Sequence, residues 1–100
     1  MNPINSIVIS ETDNVATALI ELLQGDVGRY SFQGKTSEVV IVETIPQYHK
    51  FAICNIREND RVRKYGEAIG RAICSIAAGS HVHEHNIISP GERGHEISRL

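Results

Sequence analysis

Four consecutive β-branched residues, Val39-Val40-Ile41-Val42, stand between two glutamates in the segment Glu38–Glu43. Side chains branched at Cβ lose rotamer freedom in a helix and pack well on a pleated surface, so this segment predicts a strand. The rest of the chain is cut into pieces of similar length. Ser6-Ile-Val-Ile-Ser10 and Phe51-Ala-Ile-Cys-Asn-Ile56 read as short extended runs bounded by polar residues. Asp13-Asn14, Arg57-Glu-Asn-Asp-Arg61 and Ala77-Ala-Gly-Ser80 carry turn or cap signals. Pro46 removes a backbone donor and forces Ile45 toward an extended conformation, so the chain turns there as well.

Two segments allow either a helix or a strand. In Val15–Leu23 the residues Val15, Ala16, Leu19, Ile20, Leu22 and Leu23 fit a helical stripe, while Val15, Thr17 and Leu19 alternate as in a strand. From Val62 onward, Val62, Ile69, Ala72, Ile73 and Ile76 could line a helix, against Gly66 and Gly70, which each cost ~1 kcal/mol there relative to Ala. Gly70 points instead to a turn or to close backbone packing. Gly28–Ser37, with two glycines and few apolar residues, predicts an exposed loop. Ala52-Ile-Cys-Asn-Ile56 and Ala72-Ile-Cys-Ser-Ile76 echo one another. Strand-turn units of similar length would produce this echo, and so would chance in a chain rich in Ile and Ala.

A chain of 100 residues makes one domain, and 41% hydrophobic with 22% charged residues is ordinary globular composition. Ten basic and twelve acidic residues leave a net charge of −2, which gives no general attraction for nucleic acid or an anionic membrane. No apolar run approaches the ~20 residues of a membrane span, and residues 1–10 lack a signal-peptide pattern, so a cytoplasmic protein is expected. Cys54 and Cys74 form no CxxC pair and are expected to be reduced and structural.

His81, His83 and His85 alternate with Val82 and Glu84. In an extended segment all three imidazoles would project from one face, about 6.8 Å apart. Histidines at i, i+2 can share a metal ion, or place an acid and a base on one substrate. On a helix they would diverge by roughly 200° and could not cooperate. Asn86 adds an amide able to orient a hydroxyl or carboxylate. No further ligand cluster lies nearby in sequence, so the strand by itself makes an incomplete metal site; a solvated polar face is the plain alternative. His49 and Lys50 follow the Pro46 turn and are expected on a loop tip, where Lys50 could pair with a carboxylate and His49 could exchange a proton near pH 7. Lys64-Tyr65-Gly66 is a third polar cluster, expected on a surface turn.

Four blocks run in order: Asp13-Asn14-Val15-Ala16; Ile45-Pro46-x-x-His49-Lys50-Phe51-Ala52; Lys64-Tyr65-Gly66-x-x-Ile69-Gly70-x-Ala72; and Val82-His83-x-His85-Asn86. Together they resemble the small SAF-type domain of the altronate and galactarate dehydratases, the UxaA family, and the small subunit of sulfolactate sulfo-lyase. The resemblance implies a mainly β fold of the β-clip type, with short strands, long turns and room for one short helix. The resemblance covers roughly Asp13–Asn86, within an SAF-like domain expected over residues 1–88, and residues 89–100, which lack periodicity, are expected to be a tail or linker. It also implies a lyase that eliminates water from a sugar acid such as altronate or galactarate, not active as this chain alone. On that reading His83 and His85 are the catalytic and metal-ligating candidates. His49, Lys50, Lys64, Tyr65 and Asn86 would bind substrate. An iron or manganese ion would be held mainly by a larger catalytic dehydratase subunit. The alternatives are the small subunit of sulfolactate sulfo-lyase, a non-catalytic module for a carbohydrate acid or a protein, and an independent metal-binding protein using His81–His85. Exposed strand edges would invite a homo-oligomer. The chain departs from the family pattern at Tyr48, where glycine is usual, in the long polar Gly28–Ser37 stretch, and at His81, which lies outside the motif.

Overall fold

The computed structural model describes residues 3–89, so the expected tail lies outside the described residues from residue 90 onward. Nine short strands and the turns between them make up the fold: β1 (Ser6–Ile7), β2 (Val15–Ala18), β3 (Val27–Phe32), β4 (Lys35–Val40), β5 (Lys50–Ala52), β6 (Arg61–Lys64), β7 (Glu67–Ala72), β8 (His81–Val82) and β9 (Ile87–Ile88). The described residues contain no helix, short or membrane-spanning. A four-stranded antiparallel sheet in the order β1-β2-β5-β8 forms the centre, and the β3-β4 ribbon and the β6-β7-β9 sheet flank it.

The two ambiguous segments are strands followed by turns. Four turns, Leu23–Asp26, Pro46–His49, Arg57–Asp60 and Ala77–Ser80, are each closed by a backbone hydrogen bond from the fourth residue to the first. Their third residues, Gly25, Tyr48, Asn59 and Gly79, all have positive φ, between 69° and 93°, as a type II turn requires. Ahead of each turn stand two buried residues four apart: Ala18 and Leu22, Ile41 and Ile45, Ala52 and Ile56, Ala72 and Ile76. That i, i+4 spacing mimics a helical stripe, but here it comes from a strand end and the apolar residue just before the turn.

The units pair two by two. Leu22 and Ile45 exchange both backbone hydrogen bonds (2.9 and 2.7 Å), and so do Ile56 and Ile76 (2.8 Å each). Each turn is tied to its partner unit: Tyr48 N–H donates to the Ala18 carbonyl and Gly25 N–H to that of Ile41, while Asn59 donates to Ala72 and Gly79 to Ala52. The Ala-Ile-Cys echo is therefore structural. Cys54 and Cys74 occupy matching places in two paired units, free as expected but exposed, so they are not core residues.

Gly28–Ser37 is not a loop. It lies in the β3-β4 hairpin, paired from Val27↔Val40 to Phe32↔Lys35 and closed at Gln33-Gly34, both with positive φ. Gly28 is present because a Cβ there would meet the buried Phe51 ring at 2.7 Å. Gly70 likewise admits the carbonyl of Ile88 on β9. The Glu38–Glu43 strand ends at Val40, and Phe51–Ile56 is extended only through Ala52.

The apolar side chains gather into two clusters. One holds Val8, Ala16, Ala18, Leu22, Ile41, Ile45 and Phe51. The other holds Val15, Ala52, Ile56, Val62, Ala72, Ile76 and Val82. Neighbours Val15 and Ala16, and Phe51 and Ala52, divide between the clusters, as strand alternation dictates when a sheet is covered on both faces.

Candidate functional site

Strand β8 is the whole of the extended part of the histidine segment, since residues 83–86 form a bend and turn. What assembles the site is the pairing of β5 with β8, in the register Lys50↔Val82 and Phe51↔His81. His49, one residue before β5, is thereby carried onto the histidine segment from 32 residues away in sequence. Its ring stacks on His83 (centroids 4.5 Å apart) and on His81 (5.0 Å), and His81 stacks on His83 at 5.5 Å. His85, exposed on the turn, tilts over His81 at 5.2 Å. His49 Nδ1 and His81 Nε2 lie 2.8 Å apart and share a proton. His83 Nδ1 is buried without a hydrogen-bond partner.

Burial, then the nearby charges of His49, His85 and His83, hold the His81 pKa below the usual histidine value despite Glu43. The His83 pKa is lowered by burial and then by His49, Lys50 and His85, with Glu84 opposing. Both rings thus favour the neutral form, whose lone pair can take a proton or a metal ion. One ring nitrogen from each of His49, His81 and His83 lies within 4.8 Å of the others, so these three residues could hold a divalent metal. His85 is outside that trio.

Lys50 and His49 are half-buried and flank the sheet, so neither sits on a loop tip. Burial and the Lys64 ammonium lower the Lys50 pKa, so the two cations lie within electrostatic range of one another, and Lys50 also acts on His83. Two like charges held together in this way favour an anion between or above them. Lys64 also lies over the Tyr65 ring at 4.9 Å, and the Tyr65 hydroxyl is 3.3 Å from Thr17 Oγ1, which faces Lys50 across β2 and β5. Lys64, Tyr65 and Gly66 are at the tip of the β6-β7 hairpin, with Tyr65 and Gly66 at positive φ, as the surface-turn expectation requires.

The supporting residues explain why the tip and the histidine turn stay in place. Asp13, read from sequence as a turn signal, is a buried anchor. Its Oδ1 accepts from Gly66 N–H (2.8 Å), and its Oδ2 from Ser10 N–H (3.1 Å) and Ile9 N–H (3.2 Å). Burial pushes its carboxyl pKa up, but the backbone donors of Gly66, Ser10, Ile9 and Tyr65 outweigh it and hold the pKa below the usual carboxylate value. Asn14 bonds both ways along β6, donating to the Arg61 carbonyl and accepting from Arg63 N–H. Asn86 is buried, with both ends of its amide in use: it donates to the His81 carbonyl (2.9 Å) and accepts from His83 N–H (3.0 Å). In this arrangement Asn86 shapes the turn that presents the histidines. Glu43 accepts from His81 N–H at 3.1 Å. Sequence reasoning gave Glu43 no role, read Asp13 only as part of a turn, and included His81 only in the alternative of an independent metal-binding strand. The H-x-H-x-H pattern was the signal that included His81, and nothing local to it pointed to His49 as its partner.

Residues 4–90 match the family model described as the altronate/galactarate dehydratase SAF domain. The chain is 42% identical over 80 residues to the altronate dehydratase of Escherichia coli (strain K12), and 40% identical over 80 residues to that of Bacillus subtilis (strain 168). Those matches cover 80% of this chain but 15% of each relative, so the chain spans a small part of the length of these enzymes. It is also 33% identical over 87 residues to the (2R)-sulfolactate sulfo-lyase subunit alpha of Chromohalobacter salexigens, a match covering 84% of the chain and 93% of that subunit. Its relatives are therefore either a subunit of a lyase or much longer dehydratases that include a matching domain. With an all-β fold, clustered histidines and a model match over nearly its whole length, the chain belongs to the altronate/galactarate dehydratase SAF-domain family.

Proposed function

We propose that this chain is the SAF-domain component of a dehydratase-type lyase that eliminates water from a sugar acid such as altronate or galactarate, at a site completed by a larger catalytic chain. The observation that carries the reading is the stacking of His49 on His83 and His81, with the Lys50 ammonium next to His49 in sequence and close enough to His83 to lower its pKa. β-Elimination from a hydroxy acid requires the carboxylate to be held, the α-proton removed and the departing β-hydroxyl protonated. Lys50 and Lys64 hold the carboxylate on this reading. His83, whose lone pair is available at neutral pH, takes or returns a proton, and His49 lies against it. His85, exposed on the turn, faces outward toward the larger chain. A divalent metal, iron or manganese, would supply charge stabilisation for the enediolate-like anion. The reading places the protein in the cytoplasm, with neither nucleic acid nor membrane as a partner.

The test is to purify the chain with the large subunit and assay water loss from altronate and galactarate. Lys50→Met and His83→Ala in the assembled enzyme should each lower turnover by about 10²-fold or more, the usual scale for losing a positioned acid–base or charge-stabilising group. Unchanged turnover in both would remove these residues from the chemistry. A chain that purifies alone and binds sugar acids without converting them would be a binding module instead. The 93% coverage of the sulfo-lyase subunit favours a second reading, in which the leaving group is sulfite and the substrate is sulfolactate. The same preparation assayed for sulfite release distinguishes the two.

A further inference from the structure

We propose that His49, His81 and His83 form a three-imidazole binding site for a divalent transition metal within this chain itself, with His81 as the third ligand and His85 outside the set. The metal site stands on geometry alone, while any use of it on a hydroxy-acid carboxylate rests on the lyase reading above. Three observations carry it. One nitrogen of each ring falls within 4.8 Å of the others, although the residues come from two distant parts of the sequence. His49 Nδ1 and His81 Nε2 are already 2.8 Å apart, close to the ~3.0 Å between adjacent ligand nitrogens when a metal sits about 2.1 Å from each in an octahedral set. His83 Nδ1 is buried and bonded to nothing, a costly arrangement for a polar atom unless something else occupies the site.

The surroundings suit a metal with open positions. Imidazole is a ligand for zinc, iron, copper and nickel, and three protein ligands leave room for water or a substrate oxygen. Binding needs a lone pair on both His49 Nδ1 and His81 Nε2, so the ring that now donates shifts its proton to its other nitrogen, with no net proton release. Two hydrogen-bonded backbones hold the ligands in orientation. Glu43 accepts from the His81 backbone N–H, and Asn86 bridges the His81 carbonyl and the His83 backbone N–H, which fixes the backbone that carries both rings. The Lys50 ammonium, close enough to His83 to act on it, favours an anionic ligand in the open position.

The test uses the full chain without any partner, stripped with chelator and titrated with Co²⁺ and Zn²⁺ by calorimetry and visible absorption. We expect one ion per chain, cobalt d–d bands and a metal-dependent rise in melting temperature. His49→Gln, His81→Gln and His83→Gln should each weaken binding at least 10-fold, with His85→Gln within 3-fold of the parent. Circular dichroism of each variant establishes that it is folded. If His81→Gln misfolds, His81→Asn and the cobalt spectrum of the parent decide the ligand count. Absence of saturable binding below 1 mM, or a loss with His85→Gln equal to that with His81→Gln, would overturn the site. Because no substrate or large subunit is present, failure here leaves the lyase reading intact, and failure of the lyase assay leaves this site intact.

Discussion

Tyr48 occupies the third position of a type II turn, with φ at 69°, where the three equivalent turns have Gly25, Asn59 and Gly79. An L-residue in the left-handed region costs about 1–2 kcal/mol, because its Cβ crowds the following carbonyl. Replacing it by glycine removes that strain but adds about 0.5–1 kcal/mol of unfolded-state entropy. The Tyr48 side chain is 67% exposed, so little burial is lost, and its N–H still reaches the Ala18 carbonyl at 2.7 Å. Tyr48→Gly should therefore gain about 0.5–1 kcal/mol, or roughly 2–8 °C in melting temperature for a domain of this size. Tyr48→Ala keeps the strain while removing the ring, and should leave stability within about 0.5 kcal/mol of the parent. The measurement is thermal unfolding by circular dichroism, with urea midpoints as a check. A lower melting temperature for Tyr48→Gly would mean that the ring carries packing, and the equivalence of the four turns as backbone devices would be wrong. The matched control is Gly79→Ala. It adds a side chain at φ 89° and drives it into the carbonyl of Val40, so it should cost more than 2 kcal/mol by strain and overpacking.

Other expectations follow from the same packing. Gly28→Ala pushes a methyl group against the buried Phe51 ring and should lose about 1–3 kcal/mol, seen as a lower urea midpoint; an unchanged midpoint would mean that β3 can move away. Asn86→Ala strips two hydrogen bonds from the histidine turn, so it should destabilise by about 1–3 kcal/mol and disorder the His81 and His83 imidazoles in an NMR spectrum. The folded-state pKa of Asp13 is depressed, so its contribution is fully present above about pH 4, the unfolded value, and is lost as pH falls through the folded value. Asp13→Asn should lower stability by about 1.5–3 kcal/mol at pH 7, and the gap to the parent should shrink below pH 4. Equal pH curves for parent and variant would refute Asp13 as the anchor of the Gly66 tip.

Much of the fold was legible because β-branched runs and turn residues act locally. The Asp13-Asn14 and Ala77–Ser80 turn signals, and the Ser6–Ile7 start of the extended run expected over Ser6–Ser10, are places where short-range sterics decide the conformation. The Gly28–Ser37 hairpin was invisible for a clear reason. Tyr30 and Phe32 alternate toward the core but are only partly buried, and Ser31, Lys35 and Thr36 are exposed, so the apolar alternation is too short to mark a hairpin. The helical stripe seen in Val62–Ile76 was the sum of a strand and a turn, whose i, i+4 spacing cannot be told from a helix without the partner unit. The Ala-Ile-Cys echo was visible, yet only the exchange of hydrogen bonds between Ile56 and Ile76 shows that it is a folding unit.

The histidine cluster divides in the same way. The H-x-H-x-H segment, the His49-Lys50 pair and the Lys64-Tyr65-Gly66 turn were each readable as residue types with proton-exchanging or charge-binding chemistry. Their meeting was not, because it depends on a register between β5 and β8 that no local interaction specifies. A one-residue slip in that pairing would turn His81 to the opposite face. What holds the register is burial of Phe51 and Val82 on opposite sides of the sheet, together with the hydrogen bonds that tie Gly79 to Ala52 and Ala52 to Ser80. Sequence alone determined that this chain is built of short strands and sharp turns, and which side chains could do chemistry. The tertiary structure alone decided that His49 joins His81 and His83 while His85 stays outside, because long-range strand pairing chooses among residues that are chemically alike.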